Sequence, residues 1–446
     1  MQLNKGRRPW PPPGFHRAGF DLSGAESASY QNEFPILATP QSVRYLNEIR
    51  ALNALFRSGG MSRADLARML GLNRSTTGNI IANLMADTLV VERPNVGRGE
   101  GAAKTGRPGI NIEIDPAGAT FLGAEIGVDR LTVVAIDLSA REFRRISTPF
   151  PTFEAPLEDG IDRIVAMLAE VIGSLGDVSR LRGLCVTLPA LLDADGKVIN
   201  ALIIGWRDVD LKSLIGLRLA ARFPELELPI SVENDANAFA IAETYRDSSH
   251  SAETVAFLLI ENGAGGGIVI GGRLFRGSSG FAGEFGQIVL GSEGFYAGRH
   301  KPGHLESYIG KDAVLARYRA NGADPRADVD QLIAALQAGD AIATRTAREW
   351  GGGLAIGLIQ LSSVLNPGVI ILGGTVAPLF RFVAEEVEAA MRREFLEGFP
   401  MPKIEVSALG LEGPALGGAL IMHQRMFSID ESAIYASAQP INLFQI

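Results

Sequence analysis

The sequence predicts an α/β protein of two lobes that is preceded by a winged helix-turn-helix domain. Two observations lead to this prediction. From Thr120 onward, short β-rich segments alternate with helical segments along most of the chain. Before Thr120, three helical segments are followed by two β-rich segments that flank a Gly-rich loop. The 446 residues, of which 46% are hydrophobic, suffice for about three domains or lobes.

The N-terminal region divides into two parts. Residues 1–40 are rich in Pro, Ser and Gly without apolar periodicity, so we predict a flexible extension there. A helix-turn-helix domain is predicted over residues 41–115. Its first helix begins at Val43 and ends at Gly59-Gly60, because paired glycines stop a helix.

The next two helices are predicted at residues 62–70 and 74–86, with a short Gly-containing turn between them. Ser62 and Asp65 have the spacing of a capping box at the start of the earlier helix. In a helix-turn-helix the last helix lies in the major groove and presents its first turns to the base edges. The predicted DNA contacts of this helix are Arg74, Ser75, Thr76 and Asn79.

A basic wing is predicted after the third helix. Residues 89–92 and 110–113 have the pattern of two strands, and the loop between them is rich in Gly and carries Arg and Lys. Basic side chains on such an arm suit a narrow minor groove, where the potential is most negative. The predicted DNA contacts of the wing are Arg98, Lys104 and Arg107.

The charge distribution agrees with a DNA-binding front. Residues 1–110 carry 14 Lys and Arg against 8 Asp and Glu, whereas the whole chain has a net charge of −8. A basic region attached to an acidic body is typical of a nucleic-acid-binding protein that carries a sensor. Ordinary variation in surface charge is the alternative explanation, and the three helices could instead form a scaffold or a protein-interaction module.

Several classes of protein are not supported by the composition. The single cysteine, Cys185, lies in an apolar run, so it can form no internal disulfide and is expected to be a buried small hydrophobe. The N-terminus has no apolar segment of the signal-peptide type, and no apolar run reaches the ~18 residues of a membrane span. We therefore expect a cytoplasmic protein with no membrane partner.

Residues 120–425 are predicted to form the α/β body, and residues 426–446 a C-terminal tail. The Gly-containing strand pair near residues 123–137 and the glycine run at 263–272 are each expected to open one lobe. Strands are predicted at residues 121–126, 132–137, 183–187, 229–232, 254–259 and 369–372, and helices at 157–173, 211–223, 311–319, 341–365 and 380–396.

Three segments of the body carry polar chemistry. Residues 233–237 are Glu-Asn-Asp-Ala-Asn, residues 263–267 are Gly-Ala-Gly-Gly-Gly, and residues 283–287 are Gly-Glu-Phe-Gly-Gln. Carboxylates and amides at a strand end suit a polyol, whose hydroxyls need several donors and acceptors at once. Glycines let backbone N–H groups approach an anion. The pattern therefore predicts a sugar pocket beside a phosphate-binding loop.

These motifs resemble those of the ROK family (repressor, open reading frame, kinase), on the branch with an N-terminal winged helix-turn-helix. The resemblance covers about residues 43–425. Its most specific parts are Glu-Asn-Asp-Ala-Asn at 233–237 and Gly-x-x-Gly-x-x-Gly-Glu-Phe-Gly at 277–286. It implies an actin-like (ribonuclease-H-like) two-lobe sugar kinase fold, in a family whose regulators respond to carbohydrates.

By position, the resemblance implies a set of sugar-binding residues. Asp235 stands where the kinases keep their general base, and Gln287 replaces a His that also touches the sugar. The alternative is that Asp235 and Glu284 are helix caps or surface charges. No residue is assigned a catalytic role, and the implied sugar-binding residues are Asn234, Asp235, Glu284, Gln287 and Glu306.

The phosphate-binding motifs of the kinases are altered in this chain. Where the kinases have Asp-x-Gly-Gly-Thr, residues 125–129 are Glu-Ile-Gly-Val-Asp, and where they have Gly-Thr-Gly, residues 261–263 are Glu-Asn-Gly. The carboxylates of Asp129 and Glu261 would face a triphosphate, and like charge opposes its binding. We therefore expect no ATP binding and no cofactor.

The zinc site of the family is altered as well. It takes one His and three Cys, but here the His position is Gln287 and the Cys positions fall near Ala297, Arg299 and His304. Gln is a poor zinc ligand and Arg is none. His300 and His304 are four residues apart in a Gly- and Pro-containing segment, which favours a loop role. No metal is expected.

These inferences combine into one expected function. We expect a sugar-responsive transcriptional regulator, a repressor of carbohydrate uptake or catabolism genes, that acts on operator DNA as a homodimer or homotetramer. Repression is inferred from the family resemblance alone. The alternative is an ATP-dependent sugar kinase of the glucokinase type with an appended DNA- or protein-binding domain.

Overall fold

The structure is a computed structural model that describes residues 40–94, 110–245, 253–292 and 301–428. Its first part is a three-helix unit with a small sheet. The helices are α1 (Pro40–Ser58), α2 (Arg63–Leu70) and α3 (Arg74–Ala86), and the strands are β1 (Met61–Ser62), β2 (Val90–Pro94) and β3 (Ile110–Ile114) in the antiparallel order β1-β3-β2.

Side-chain caps fix where α2 and α3 begin. The Ser62 hydroxyl accepts a hydrogen bond from the Asp65 amide (3.2 Å), and the Asn73 side chain accepts one from the Thr76 amide (2.8 Å). Gly71 ends α2 in the left-handed conformation at φ 68°, which glycine adopts without strain. The predicted bounds of α3 and the cap at Ser62 are confirmed, whereas α1 begins three residues before its predicted start.

Two lobes follow, and each is built on a five-stranded sheet. The first lobe has the order β11-β7-β4-β5-β6 and carries a small side sheet, β10-β9-β8. Its helices α4 and α5 pack against each other, and α6 follows β11 directly. The strands are β4 (Thr120–Ile126), β5 (Arg130–Asp137), β6 (Glu142–Pro149), β7 (Leu181–Leu188), β8 (Leu191–Leu192), β9 (Val198–Ala201), β10 (Trp206–Val209) and β11 (Ile230–Asn234), and the helices are α4 (Leu157–Gly173), α5 (Leu211–Arg222) and α6 (Asp235–Thr244).

The second lobe repeats the strand order of the first. Its sheet runs β14-β13-β12-β15-β16, so in both lobes an antiparallel meander is extended by two parallel strands. The two-lobe α/β prediction is confirmed. The strands are β12 (Thr254–Ile260), β13 (Ala264–Ile270), β14 (Arg273–Leu274), β15 (Val369–Gly373) and β16 (Lys403–Val406), and the helices are α7 (Glu306–Ile309), α8 (Lys311–Ala320), α9 (Val329–Gln337), α10 (Ala341–Leu365), α11 (Ala384–Glu394) and α12 (Gly413–Met426).

The lobes are joined where α6 and α12, the last helix of each lobe, cross. A Cβ on Gly417 of α12 would lie 1.8 Å from the Ala238 carbonyl oxygen of α6, so the two backbones touch. Helix α12 also packs on β4 of the first lobe, where a Cβ on Gly123 would meet the Ala415 carbonyl oxygen at 1.8 Å. Each closing helix thus lies against the sheet of the other lobe, because α6 packs on β13.

The glycine run predicted as a phosphate loop is mostly a strand, so that prediction is wrong for most of its residues. Gly265, Gly266 and Gly267 belong to β13. A Cβ on Gly266 would stand 2.1 Å from the Phe285 ring, and one on Gly267 would stand 2.7 Å from the Ala240 Cβ. These glycines let α6 and the segment around Phe285 approach the sheet, and only the turn before β13 remains a loop.

Two further observations concern the body. Cys185 is fully buried in β7, and this burial raises the pKa of its thiol to about 12.

Over the residues that the structure describes, no helix combines the length and the apolarity needed to cross a membrane.

An aromatic cluster connects the helix-turn-helix part to the body. Phe56 of α1 lies 6.0 Å from Tyr245, 5.0 Å from His423 and 5.1 Å from Phe427, measured between ring centroids. We call these four residues the aromatic joint. The Asn53 side-chain amide adds a hydrogen bond to the Phe427 carbonyl oxygen (2.7 Å), so α1 is held against the end of α12.

His423 is the hydrogen-bonding centre of the aromatic joint. Its Nε2 lies 2.9 Å from the Leu138 carbonyl oxygen, and its Nδ1 lies 2.9 Å from the Tyr245 hydroxyl. Burial lowers the pKa of His423 to about 4, so the ring is neutral near pH 7. Because a carbonyl oxygen only accepts, this network assigns the proton to Nε2 and makes Nδ1 the acceptor from Tyr245.

Candidate functional site

A cavity of about 790 Å³ lies in the cleft between the two lobes. It is lined by strand ends and turns of both sheets, together with the beginnings of α6 and α12. The structure brings all the residues predicted to bind sugar to this cavity: Asn234, Asp235, Glu284, Gln287 and Glu306.

Asn234 and Asp235 lie where β11 ends and α6 begins. The Asn234 side chain caps α6, because its Oδ1 accepts from the Asn237 amide (3.1 Å) while its Nδ2 donates to the Ala190 carbonyl oxygen (3.2 Å). The capping role thus belongs to Asn234. Asp235 is the first residue of the helix and accepts from the Ala236 amide (2.8 Å). Asp235 lines the cavity, and its backbone is fixed by the start of the helix.

Glu284 stands at the start of a short 3-10 helix, Phe285–Gln287, but its side chain makes no capping hydrogen bond. Burial, with the nearby charges of Asp235 and Glu306, raises its pKa to about 7. Burial and the charge of Glu261 likewise raise the pKa of Asp235 to about 6, against the hydrogen bond from Ala236. These carboxyls repel one another, so the cavity favours a neutral, hydroxyl-rich ligand over an anion.

Gln287 and Glu306 are connected by hydrogen bonds. The Gln287 Nε2 donates to Glu306 Oε1 (3.0 Å), and the Gln287 Oε1 lies 3.1 Å from His304 Nδ1. Gln287 therefore orients the side chains of Glu306 and His304. Among the described residues, no group of three His, Cys, Asp or Glu side chains is placed to hold a metal. The positions Ala297, Arg299 and His300 lie outside the described residues.

The side of the cavity that corresponds to the altered phosphate motifs is occupied by carboxylates of the chain itself. Glu261 accepts from the Thr375 amide (2.7 Å) and from the Thr375 hydroxyl (2.8 Å). Its carboxylate therefore accepts both hydrogen bonds that Thr375, directly after the Gly373-Gly374 turn, can donate. Asp129 accepts from the Lys311 ammonium (3.4 Å). Sequence reasoning missed Thr375 and Lys311, because neither belongs to a motif and only the fold brings them to the cleft.

Glu125 and Arg130 complete this side of the cavity. The Glu125 carboxyl is buried and lies 3.9 Å from the Arg130 guanidinium. Burial raises the pKa of Glu125 to about 8; Arg130 lowers it, and the nearby carboxylates of Asp235 and Glu261 raise it. Within the described part of the chain, Glu125 Oε2 and Arg130 Nε are buried without a hydrogen-bond partner.

The predicted DNA contacts are only partly within the described residues. Arg74, Ser75 and Asn79 are exposed on the first turns of α3, and Thr76 is half-buried there. Their positions leave this end of α3 accessible to a partner. The predicted wing contacts Arg98, Lys104 and Arg107 lie outside the described residues, although the strands β2 and β3 that flank them pair as predicted.

Comparison with protein families and curated proteins gives matches over most of the chain. The ROK family matches residues 121–425. The xylose repressor of Bacillus subtilis (strain 168) is 25% identical over 392 residues, which cover 86% of this chain and 97% of the repressor. The glucokinase of Streptomyces coelicolor is 27% identical over 323 residues, which cover 67% of this chain and 96% of the glucokinase.

The similar solved structures likewise include a regulator that matches most of the chain and a kinase that matches a smaller share of it. A ROK family transcriptional regulator described as a homologue of the E. coli MLC protein superposes with a TM-score of 0.70 at 22% identity, covering 86% of this chain and 97% of the regulator. A ROK family glucokinase from Streptomyces griseus, in complex with glucose and AMPPNP, gives a TM-score of 0.60 at 25% identity, covering 69% of this chain and all of that chain. Residues 121–446 make up less than three quarters of the sequence, so the matches to the two regulators extend into the helix-turn-helix part.

Proposed function

This chain belongs to the ROK family, and we propose that it is a sugar-responsive transcriptional repressor of carbohydrate uptake or catabolism genes. The main support for this function is how much of the chain its repressor relatives match. The repressor and the regulator each cover 86% of this chain, a share that must include some of the helix-turn-helix part, whereas the two glucokinases cover 67% and 69% of it, about the share that the two-lobed body occupies. The proposed partners are operator DNA, bound in the cytoplasm by a homodimer or homotetramer, and a small carbohydrate.

The proposed sugar site is the wall of the cleft that carries Asn234, Asp235 and Glu284. Their carboxyl and amide groups can accept and donate to several adjacent hydroxyls at once, as polyol recognition requires. Gln287 and Glu306, already joined by a hydrogen bond, extend the same wall. Because residues from both lobes take part, a bound sugar favours the state in which the lobes are closed on it.

Helix α6 offers a route from this site to the DNA-binding part. It begins at Asp235 in the cleft and is followed at its other end by Tyr245, a member of the aromatic joint. It crosses α12, which also ends at the aromatic joint. A small rotation of one lobe on closure therefore moves the helix ends against which α1 packs. This movement changes the spacing between the two DNA-binding domains of an oligomer.

We further propose that the protein does not use ATP. Glu261 and Asp129 line the cleft at the positions of the altered phosphate motifs, and their negative charge would oppose the binding of a triphosphate there. Glu261 also takes the Thr375 donors that an anion would need. A kinase would bind its nucleotide in the part of the cleft lined by these residues. Because this protein binds no nucleotide there, the whole cleft is available to the effector.

The proposed function predicts salt-dependent DNA binding that one sugar alters. Fluorescence anisotropy of the purified protein on DNA upstream of its own gene and its neighbours should give an affinity that falls about 10³-fold between roughly 50 and 200 mM salt. A panel of free and phosphorylated sugars is then added. One sugar should shift the affinity by about 5- to 150-fold.

The control for this experiment uses two sets of substitutions. Arg74→Ala with Asn79→Ala should abolish specific binding, whereas Arg222→Ala, an exposed arginine at the end of α5, should leave it unchanged. Affinity that does not depend on salt would assign the front domain to protein contacts. Absence of binding to any of this DNA would contradict the proposal.

A separate prediction concerns nucleotide chemistry. Incubation of the protein with ATP, magnesium and each sugar of the panel should release no ADP above the rate without sugar. The reason is the repulsion of the triphosphate by Asp129 and Glu261. A coupled ADP assay, with a sugar kinase as the positive control, measures it. Sugar-dependent ADP release would overturn this part of the proposal and support the glucokinase-type alternative.

A further inference from the structure

The cleft is larger than one sugar ring requires. Its volume of about 790 Å³ lies in the upper part of the range of about 300–1,000 Å³ for sites that enclose drug-sized ligands. A monosaccharide is smaller than such ligands. Beyond the residues proposed to hold a sugar, the cavity is lined by Glu125, Asp129, Arg130 and Glu261. We call these four residues and the space beside them the second subsite.

Most of the charges in the second subsite are already compensated within the chain. Asp129 binds Lys311, and the positive charges of Lys311 and Arg130 favour the ionised form of Glu261. An anionic group entering here would meet the carboxylates of Asp129 and Glu261, whose negative charges offset the nearby cations Lys311 and Arg130. The occupant that fits this arrangement is uncharged.

Two polar atoms of the second subsite lack partners among the described residues. Glu125 Oε2 and Arg130 Nε are buried, and both residues line the cavity. A buried polar group without a hydrogen bond costs about 1–3 kcal/mol, which a ligand hydroxyl at this place would remove. Because its pKa is raised to about 8, the Glu125 carboxyl carries a proton near pH 7 and can both donate and accept. An adjacent pair of hydroxyls on a sugar ring matches such a carboxyl beside a guanidinium donor.

An apolar surface borders the same polar pair. Leu411 and Pro414, before and within the first turn of α12, line the cavity. The Leu411 carbonyl oxygen accepts a hydrogen bond from Arg130, which places this segment next to the polar pair. The C–H face of a sugar ring can pack on such a surface while its hydroxyls turn toward Glu125.

From these observations we propose that the effector is an uncharged oligosaccharide or glycoside of at least two rings, with its second ring in the subsite around Glu125, Arg130 and Leu411. This inference rests on the proposed function and specifies the ligand class of the same cleft. Glu125 and Arg130 then determine how many sugar rings the effector has, and sugar phosphates do not bind in the cleft.

Isothermal titration calorimetry on the full-length protein tests the proposal. The probes are glucose and xylose, their α- and β-1,4-linked disaccharides, and glucose 6-phosphate. One disaccharide should bind at least about tenfold more tightly than its own monosaccharide, and the phosphate should bind more weakly than glucose. Equal affinities, or tighter binding of the monosaccharide or the phosphate, would overturn the proposal.

Variants locate the second ring. Glu125→Ala should remove most of the disaccharide advantage while changing the monosaccharide affinity less than about twofold, and Glu125→Gln should restore part of it. Leu411→Trp, at a residue that is 37% exposed, should narrow the second subsite with the same result even if Glu125→Ala fails to fold. Glu397→Ala, an exposed acid after α11, is the control. An unchanged disaccharide advantage in both Glu125→Ala and Leu411→Trp would contradict the assignment.

Failure of this inference can be distinguished from failure of the proposed function. If a monosaccharide binds in the cleft and shifts the DNA affinity but no disaccharide binds better, only the second subsite is wrong. If no sugar of either kind binds or alters DNA binding, the sugar-responsive function itself is wrong.

Discussion

Asp235→Ala is expected to bind operator DNA like the wild-type protein and to lose its response to sugar. The carboxylate stands at the start of α6 beside the proposed sugar site, and none of the described residues of the helix-turn-helix part lines that cavity. Removing it deletes a charge-assisted acceptor for a ligand hydroxyl, a loss worth about 1.5–3 kcal/mol of binding. At effector concentrations that act on the wild type, the site of the variant is then largely empty.

Anisotropy on operator DNA with and without the effector measures this result, and Asp195→Ala, an exposed acid in the first lobe, is the matched control. A variant that responds to the sugar as the wild type does would show that the effector binds elsewhere. A variant that no longer binds DNA would instead indicate damage to the fold, which thermal unfolding of the same sample detects.

The Asp235→Asn variant separates a change in binding from a change in stability. The pKa of Asp235 is raised from 3.8 to about 6 in the folded protein, so the folded state holds its proton more tightly than the unfolded chain. The resulting penalty on folding is absent below pH 3.8 and grows until pH rises past about 6. Asp235→Asn removes it, so the free energy of unfolding should rise by about 1–2 kcal/mol at pH 8 and little at pH 4.

The second large effect is expected at the aromatic joint. Phe56→Ala should leave sugar affinity within about twofold of wild type and preserve specific DNA binding, but reduce the sugar-induced change in DNA affinity to less than about twofold. Phe56 is the α1 side chain that stacks on the ends of both crossing helices. Without it, movements of Tyr245 and Phe427 no longer displace α1.

Titration of sugar and DNA against the same preparation gives both affinities, and Phe143→Ala, an exposed aromatic of β6, serves as the control. Tyr245→Phe provides a milder test, because it removes the hydroxyl that His423 Nδ1 accepts from and leaves the rings stacked. If Phe56→Ala retains the full response, the coupling between cleft and DNA runs through other contacts.

The sequence predicted the elements whose local signals agree with their final structure. Helix α3 was located to the residue because Asn73 caps it and its apolar positions have helical spacing. Helix α12 was missed because Gly413, Gly417 and Gly418 are poor helix formers. Those glycines are required by contact with α6 and the first sheet, which is a tertiary constraint that no local pattern reveals.

The same limit applies to the sites. The sugar-binding wall was identified because its residues stand in two compact motifs, at 233–237 and 283–287. The aromatic joint was not predicted, because Phe56, Tyr245 and Phe427 are far apart in sequence and meet only in the fold. The β13 glycines were assigned to an anion loop because a glycine run has no side-chain alternation by which a strand can be recognised.

The burial of Cys185 makes the native chain effectively thiol-free for chemical labelling. A maleimide reacts with the thiolate, and the single thiol of this sequence is fully buried with a pKa of about 12. Cysteines introduced at Leu217 in the first lobe (71% exposed) and Leu396 in the second (82% exposed) would be the only reactive thiols. A donor and an acceptor dye attached there would report the distance between the lobes directly, molecule by molecule, without first removing a native cysteine.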